Sequence, residues 1–297
     1  MRAYAHDRHR FPLPERHRFP QAKYGLVRAA LAGAPDVTIL EAPPITWDDA
    51  LLAHHPEWVR RVRYGLLDRR EEAGLGLPWS PELAARSLHA TGSTVAAARA
   101  ALQDGTGAAL GGGTHHARHR TGRGYCVFND VAIAIARLRR EGVAGELLVL
   151  DLDVHQGDGN AELFADDPTV TVVSLHGARN YPFERVPSDL DVDLPDGTGD
   201  DAYLEALDAA LAWALEGRGY VLPFLIAGAD PWEHDALGRL SLSEAGLERR
   251  DHRALTALRA ADIPVCVTLA GGYGQPIEGT ARIHARTVAL AATMCAC

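Results

Sequence analysis

The chain has 297 residues, enough for a large core, and its 30 basic and 39 acidic side chains leave a formal net charge of −9. That balance offers no basic field for nucleic acid, in spite of the local run Arg118, His119, Arg120, Arg123, so neither DNA nor RNA is an expected partner. The first residues lack the apolar segment of a secretory signal and no stretch approaches the length needed to span a bilayer, so a cytoplasmic protein with no membrane partner is expected. Cys126, Cys266, Cys295 and Cys297 show no paired metal-ligand spacing and suit a reducing compartment, and the terminal Cys-Ala-Cys reads as a frayed tail.

In chain order, helical patterns are expected over 21–31, 58–72 and 81–102, then an apolar strand over 108–111 and a helix over 131–140. Strands follow over 147–152 and 170–175, a helix over 200–216, a strand over 221–227, a helix over 243–261 and a strand over 264–269. No repeat, low-complexity block or long Gly/Ser linker interrupts this alternation, which predicts one domain over 1–297. Short, almost continuously apolar strands separated by helices predict an α/β fold, a central parallel sheet with helices on both faces. Functional groups in such sheets collect at the carboxyl ends of the strands.

The most informative stretch is 148–159, Leu-Val-Leu-Asp-Leu-Asp-Val-His-Gln-Gly-Asp-Gly. Side chains of an extended backbone alternate faces, so Asp151, Asp153 and His155 project to one side and Leu152 and Val154 to the other. Two carboxylates and an imidazole converging there are costly to desolvate unless something satisfies them, and a divalent metal ion is the simplest partner. A strand-end Asp pair capping a helix is the structural alternative. Other strand ends carry chemistry too: Gly112-Gly113-Thr114-His115-His116 after 108–111, Gly228-Ala229-Asp230 after 221–227, and Ala270-Gly271-Gly272-Tyr273 after 264–269. Each alone reads as a turn or a cap; their joint occurrence on one sheet edge points to a site.

These residues resemble the pattern of the zinc-dependent histone deacetylase family, whose members share the arginase-like α/β fold. The matching pieces are Gly-Gly-Gly-Thr-His-His-Ala at 111–117, Gly-Tyr-Cys-Val-Phe-Asn-Asp at 124–130, Asp-Leu-Asp-Val-His-Gln-Gly-Asp-Gly at 151–159, Ala-Gly-Ala-Asp at 227–230 and Gly-Gly-Tyr at 271–273, with weaker support from His17-Arg18-Phe19-Pro20. Gln156 in place of a second histidine, Leu237-Gly-Arg-Leu-Ser-Leu-Ser and Arg249-Arg-Asp look most like the class IV branch and its bacterial relatives. The resemblance implies that Asp153, His155 and Asp230 bind the metal, which their oxygen and nitrogen donors allow to be zinc or ferrous iron. It implies acidic partners for the two histidines, Asp151 for His115 and Asp158 for His116, with His116 as general base and then general acid. Where class IV relatives often carry Asn, the retained Asp158 is expected to make His116 more basic. Tyr273 takes the oxyanion role, on a Gly-Gly turn that lets the ring swing inward.

The same resemblance places a potassium ion among backbone oxygens of the 151–155 run and the next strand, which names Asp151, Asp153, His155, Ser174 and Leu175. Substrate contacts carried over are Gly124, Tyr125, Tyr181, Leu237 and Gly272, with Tyr125 and Tyr181 as walls along an acyl-lysine stem. The implied reaction is hydrolysis of an acyl amide on a primary amine, most naturally acetyl-lysine or a longer fatty acyl-lysine of a protein or peptide. Acetylpolyamine or another small acylated amine is the alternative, made weaker by Leu237 where polyamine-hydrolysing relatives carry an acidic gatekeeper. The acid that many relatives use to grip the substrate backbone has no clear counterpart before Gly111. An arginase-type ureohydrolase and a non-catalytic acyl-lysine reader are the competing classes; the first needs a second metal and additional Asp-His ligands, whereas the motif here, followed by Gly-Tyr-Cys and ending in Gly-Gly-Tyr, fits deacylases better, and the second is at odds with a complete set of ligands, base and tyrosine.

Overall fold

The structure, a computed structural model, describes residues 1–293. Cys295 and Cys297, the expected tail, lie outside the described residues. Eight strands build one sheet: β1 (Arg2–Ala5), β2 (Thr38–Glu41), β3 (Thr106–Ala109), β4 (Glu146–Asp151), β5 (Val170–Gly177), β6 (Leu190–Leu194), β7 (Tyr220–Ala227) and β8 (Val265–Leu269). Their order is β2-β1-β3-β8-β7-β4-β5-β6, and every neighbouring pair is parallel. The helices are α1 (Ala22–Ala30), α2 (Trp47–Ala50), α3 (Pro56–Tyr64), α4 (Arg69–Leu75), α5 (Pro81–Asp104), α6 (Asp130–Arg140), α7 (Asp158–Phe164), α8 (Asp200–Leu215), α9 (Glu244–Ala260) and α10 (Ile277–Thr293).

The sheet separates two apolar cores, and single strands feed both. Leu148 and Leu150 of β4 pack with Leu204 and Leu207 of α8, Leu255 of α9 and Val288 of α10. Leu147 and Val149, pointing the other way, pack with Val95 and Ala97 of α5 and Ile133 and Ile135 of α6. Burial on both faces explains why these strands read as unbroken apolar runs.

Three strands and several helices depart from the expected elements. The strands β1, β2 and β6 are short, and β2 and β6 form the two sheet edges. In β6 the sequence Leu-Asp-Val-Asp-Leu alternates, as suits a strand with one face toward solvent. The expected helix over 58–72 is two helices. It breaks at Gly65, which adopts φ 69° with the Trp79 ring where a Cβ would sit, and restarts at Asp68, whose side chain accepts from the N–H groups of Arg70 and Glu71.

Candidate active site

β4, β7, β8 and β3 lie side by side, so their carboxyl ends share one edge. Just past β4, Asp153 Oδ1 accepts from the N–H of His155 at 3.0 Å, and Oδ2 from that of Gly271, beyond β8, at 2.7 Å. Asp230, just past β7, accepts from the N–H of Val154 at 2.9 Å through Oδ1. His155 Nδ1 lies 2.9 Å from Asp153 Oδ1 and 3.3 Å from Asp230 Oδ2, and the candidate ligand atoms of the three residues lie within 4.8 Å of one another. Asp230 Oδ2 is buried and makes no hydrogen bond, and the approach of both acids requires glycine at 271, where a Cβ would stand 1.9 Å from that same oxygen. A buried, unpartnered carboxylate oxygen facing an imidazole nitrogen fits a divalent cation, by the hard oxygen and borderline nitrogen character of the donors.

Burial, joined by the neighbouring Asp153, pushes Asp230 up to about 7. Burial opposes protonation of His155, but the neighbouring carboxylates of Asp153 and Asp230 raise it to about 10.

His115 and His116 sit on the loop after β3, shaped by Gly112 and Gly113 at φ 116° and 56°. Asp130 at the start of α6 anchors that loop, accepting from the N–H groups of Gly113 (2.9 Å) and Thr114 (2.8 Å). His115 Nδ1 bonds to Asp151 Oδ2 at 2.7 Å and His116 Nδ1 to Asp158 Oδ1 at 2.6 Å, with the two ring centroids 4.1 Å apart. Their basicities diverge. Burial works against His115, but the charges of Asp151 and Asp153 raise it to about 9. Burial, followed by repulsion from His115, pushes His116 down to about 3 against its bond to Asp158.

Asp158 raises His116, as expected of a retained acid, but burial and repulsion from His115 outweigh it. Arg118 contacts the buried Asp158 carboxylate at 2.7 Å and Arg123 at 3.2 Å. A neutral His116 donating Nδ1–H to Asp158 presents an Nε2 lone pair, which is the form a general base needs.

Tyr273 hangs from the turn after β8. Burial, ahead of repulsion from Asp230 and Asp153, raises its phenol well above the usual value and keeps it a proton donor. Its N–H bonds to Asp235 Oδ2 at 2.6 Å, while Asp235 Oδ1 accepts from the N–H groups of Leu237 (2.8 Å) and Gly238 (2.9 Å).

One cavity of about 560 Å³ joins these groups, with Tyr125, Tyr181, Phe183 and Leu237 among its lining. Tyr181 meets the His116 ring edge-on at 4.9 Å and the Tyr125 ring lies 5.9 Å from that of Tyr273. Gly124, at φ 55°, lets the backbone pass His116, where a Cβ would stand 2.6 Å from the ring. Gly272 is placed differently from the expectation: it is buried behind the tyrosine against Thr280 and His284, and Gly271 lines the cavity instead. Ser174 pairs in register with Asp151 on β4, with Leu175 beside it; both are buried, and Ser174 Oγ lies 2.9 Å from His176 Nδ1.

Sequence reasoning missed Asp130, Asp235 and His54. Asp130 was readable as the acid ending the 124–130 motif. His54 accepts the N–H of Asn129 on Nε2 at 2.8 Å and bonds the Arg118 carbonyl through Nδ1 at 2.9 Å, tying two motif segments together, a role for which the sequence holds no local signal.

A parallel sheet whose strand ends bring an Asp-His-Asp cluster that could hold a metal ion, two histidine–carboxylate pairs and a tyrosine to one cavity defines an α/β protein of the hydrolase kind. The histone deacetylase domain pattern matches residues 15–290, and the chain belongs to the histone deacetylase family. An uncharacterized protein of Picosynechococcus sp. (strain PCC 7002) is 38% identical over 94% of this chain and 91% of its own. Histone deacetylase 2 of Arabidopsis thaliana is 33% identical over 66% of this chain and 51% of its own. The crystal structure of a histone deacetylase homologue from Aquifex aeolicus superposes with a TM-score of 0.80 at 24% identity, covering 97% of this chain and 83% of that one, which shows the shared fold. The chain is a deacetylase-family hydrolase, and among the described residues no helix is long and apolar enough to cross a membrane.

Proposed function

We propose that the chain hydrolyses the amide joining an acyl group, acetyl or longer, to the side-chain amine of lysine in a protein or peptide, as a class IV-like bacterial member of its family. The observation that carries this reading is the convergence on one cavity of the Asp153, His155 and Asp230 cluster, the neutral His116 and the protonated Tyr273. A zinc or ferrous ion held by Asp153, His155 and Asp230 would polarise the acyl carbonyl and make water a stronger nucleophile. His116, its Nδ1 committed to Asp158, takes the proton of the attacking water on Nε2 and returns it to the departing amine. His115, held by Asp151, adds positive charge beside the developing oxyanion, and the Tyr273 phenol donates to that oxygen.

Tyr125 and Tyr181 flank the alkyl stem, and Leu237 offers a polyamine no charge to recognise, which favours lysine over small acylated amines. A potassium ion among Asp151, Asp153, His155, Ser174 and Leu175 would stiffen the loop that carries the ligands. The test is acyl release by zinc-loaded protein from lysine peptides carrying acetyl or a long fatty acyl group, with acetylputrescine alongside. Release from a peptide supports the reading; release from acetylputrescine alone, or from nothing while the metal is bound, overturns it.

A further inference from the structure

Beyond the catalytic cluster the cavity continues to an inner end formed by α1, α5 and the residue after β1. Lys23, Arg86 and His6 line it, with 3%, 7% and 1% of their surfaces exposed. Burying two cations is expensive unless a carboxylate meets them, and among the described residues neither forms an ion pair with one. The Lys23 ammonium donates one hydrogen bond, to the Ala270 carbonyl at 2.9 Å, and has two donors to spare. The Arg86 guanidinium lies against aromatic faces, 4.4 Å from the Tyr24 ring centre and 5.6 Å from that of Phe19, and its Nη2 is buried without a hydrogen bond. Neither ring nitrogen of His6 has a partner. Among the described residues, the one acid lining the cavity is Asp153, at the catalytic cluster.

Unspent donors, positive charge and the lack of an acid together describe a receptor for an anion. Its position defines which anion. Lys23 Nζ lies 5.5 Å from the centre of the Tyr273 ring, and its one acceptor, Ala270, immediately precedes the Gly271 whose N–H holds Asp153. An acyl group whose carbonyl sits between Tyr273 and the cluster would run its far end into these donors. Resting on the deacylase reading above, we infer that the preferred acyl group is a short dicarboxylic one, such as succinyl or glutaryl, whose free carboxylate is bound by Arg86, Lys23 and His6. The reaction stays a hydrolysis. Water's oxygen bonds to the acyl carbon, the C–N bond breaks, the proton taken by His116 goes to the lysine nitrogen, and water's second proton passes from the new carboxyl group to the same amine, so that the diacid leaves as a dianion and the lysine as an ammonium.

The experiment compares succinyl-lysine with butyryl-lysine in one peptide sequence, since the two acyl groups have equal carbon counts and differ in the terminal carboxylate. Zinc-loaded full chain is expected to favour succinyl in kcat/KM by about tenfold or more, the scale of a buried charge-assisted hydrogen bond. Arg86→Met and Lys23→Met are each expected to collapse that ratio; two variants are named because either position could be needed for folding, and the wild-type ratio stands without both. Butyryl cleaved as well as or better than succinyl overturns the inference and leaves the deacylase reading standing. A succinyl preference that survives in both folded variants also overturns it, by placing the selection elsewhere. Inhibition by free succinate without cleavage of succinyl-lysine makes the inner end a product site only and overturns it too. Cleavage of neither peptide with metal bound removes the deacylase reading and this inference with it.

Discussion

At the ends of β4 and β7, buried carboxylates accept backbone N–H bonds, Asp153 from His155 and Gly271 and Asp230 from Val154. At the inner end of the same cavity, buried cations lie against aromatic faces with most of their donors unused. The acids are oriented by directional bonds from backbone N–H groups, as a metal site requires. The cations are held by rings that stabilise charge without fixing direction, which suits a receptor that must accept a ligand arriving along the cavity. One end of the cavity is built for geometry and the other for capture.

The acidic end should break hardest. Asp230→Ala is expected to abolish binding of a divalent ion, read by calorimetric titration with zinc, and to reduce acyl release to background. Tyr273→Phe keeps the ion but removes a preorganised donor, and turnover should fall on the order of 10²–10³. Asp158→Asn should cost about 10–100-fold in kcat, since it loosens the partner that orients His116 and leaves Arg118 and Arg123 facing a neutral amide. Full activity in that variant would show that His116 needs no orienting acid.

The smallest effect concerns stability. Burial, ahead of every other influence, lowers His54 to about 4, below the 6.5 it takes when unfolded. A depressed histidine leaves the unfolded chain binding more protons than the folded one between those values, so this contribution to stability is complete above about 6.5 and is lost as pH falls toward 4. Urea midpoints of the zinc-free protein should drop over that window, and His54→Gln should flatten the drop; an unchanged slope in the variant would assign the acid sensitivity to other groups.

The legibility of the sequence followed burial. Strands β4, β5, β7 and β8 are apolar on both faces and announced themselves, and the acids and histidines at their ends could be gathered into one site because strand ends of a parallel sheet share an edge. Edge strands β2 and β6 are short and broken up by polar residues, Thr38 and Glu41 in one and Asp191 and Asp193 in the other, and left no such mark. The break at Gly65 was readable, since glycine followed by the Asp68 and Glu71 capping pair is a stop and a start, but apolar spacing across it outweighed that signal. Lys23, Arg86 and Asp235 stood outside every local motif. Lys23 finds its acceptor 247 residues away, a relation that no windowed pattern contains.

Asp235 carries a consequence of its own. One oxygen grips the backbone beneath Tyr273 and the other grips Leu237 and Gly238 at the cavity wall, so a single carboxylate spans the substrate's doorway and the group that meets its carbonyl. On the lysine-deacylase reading, residues flanking the acylated lysine would meet the wall that Asp235 ties to the backbone of Tyr273, and peptide context should register in the rate of turnover as well as in affinity.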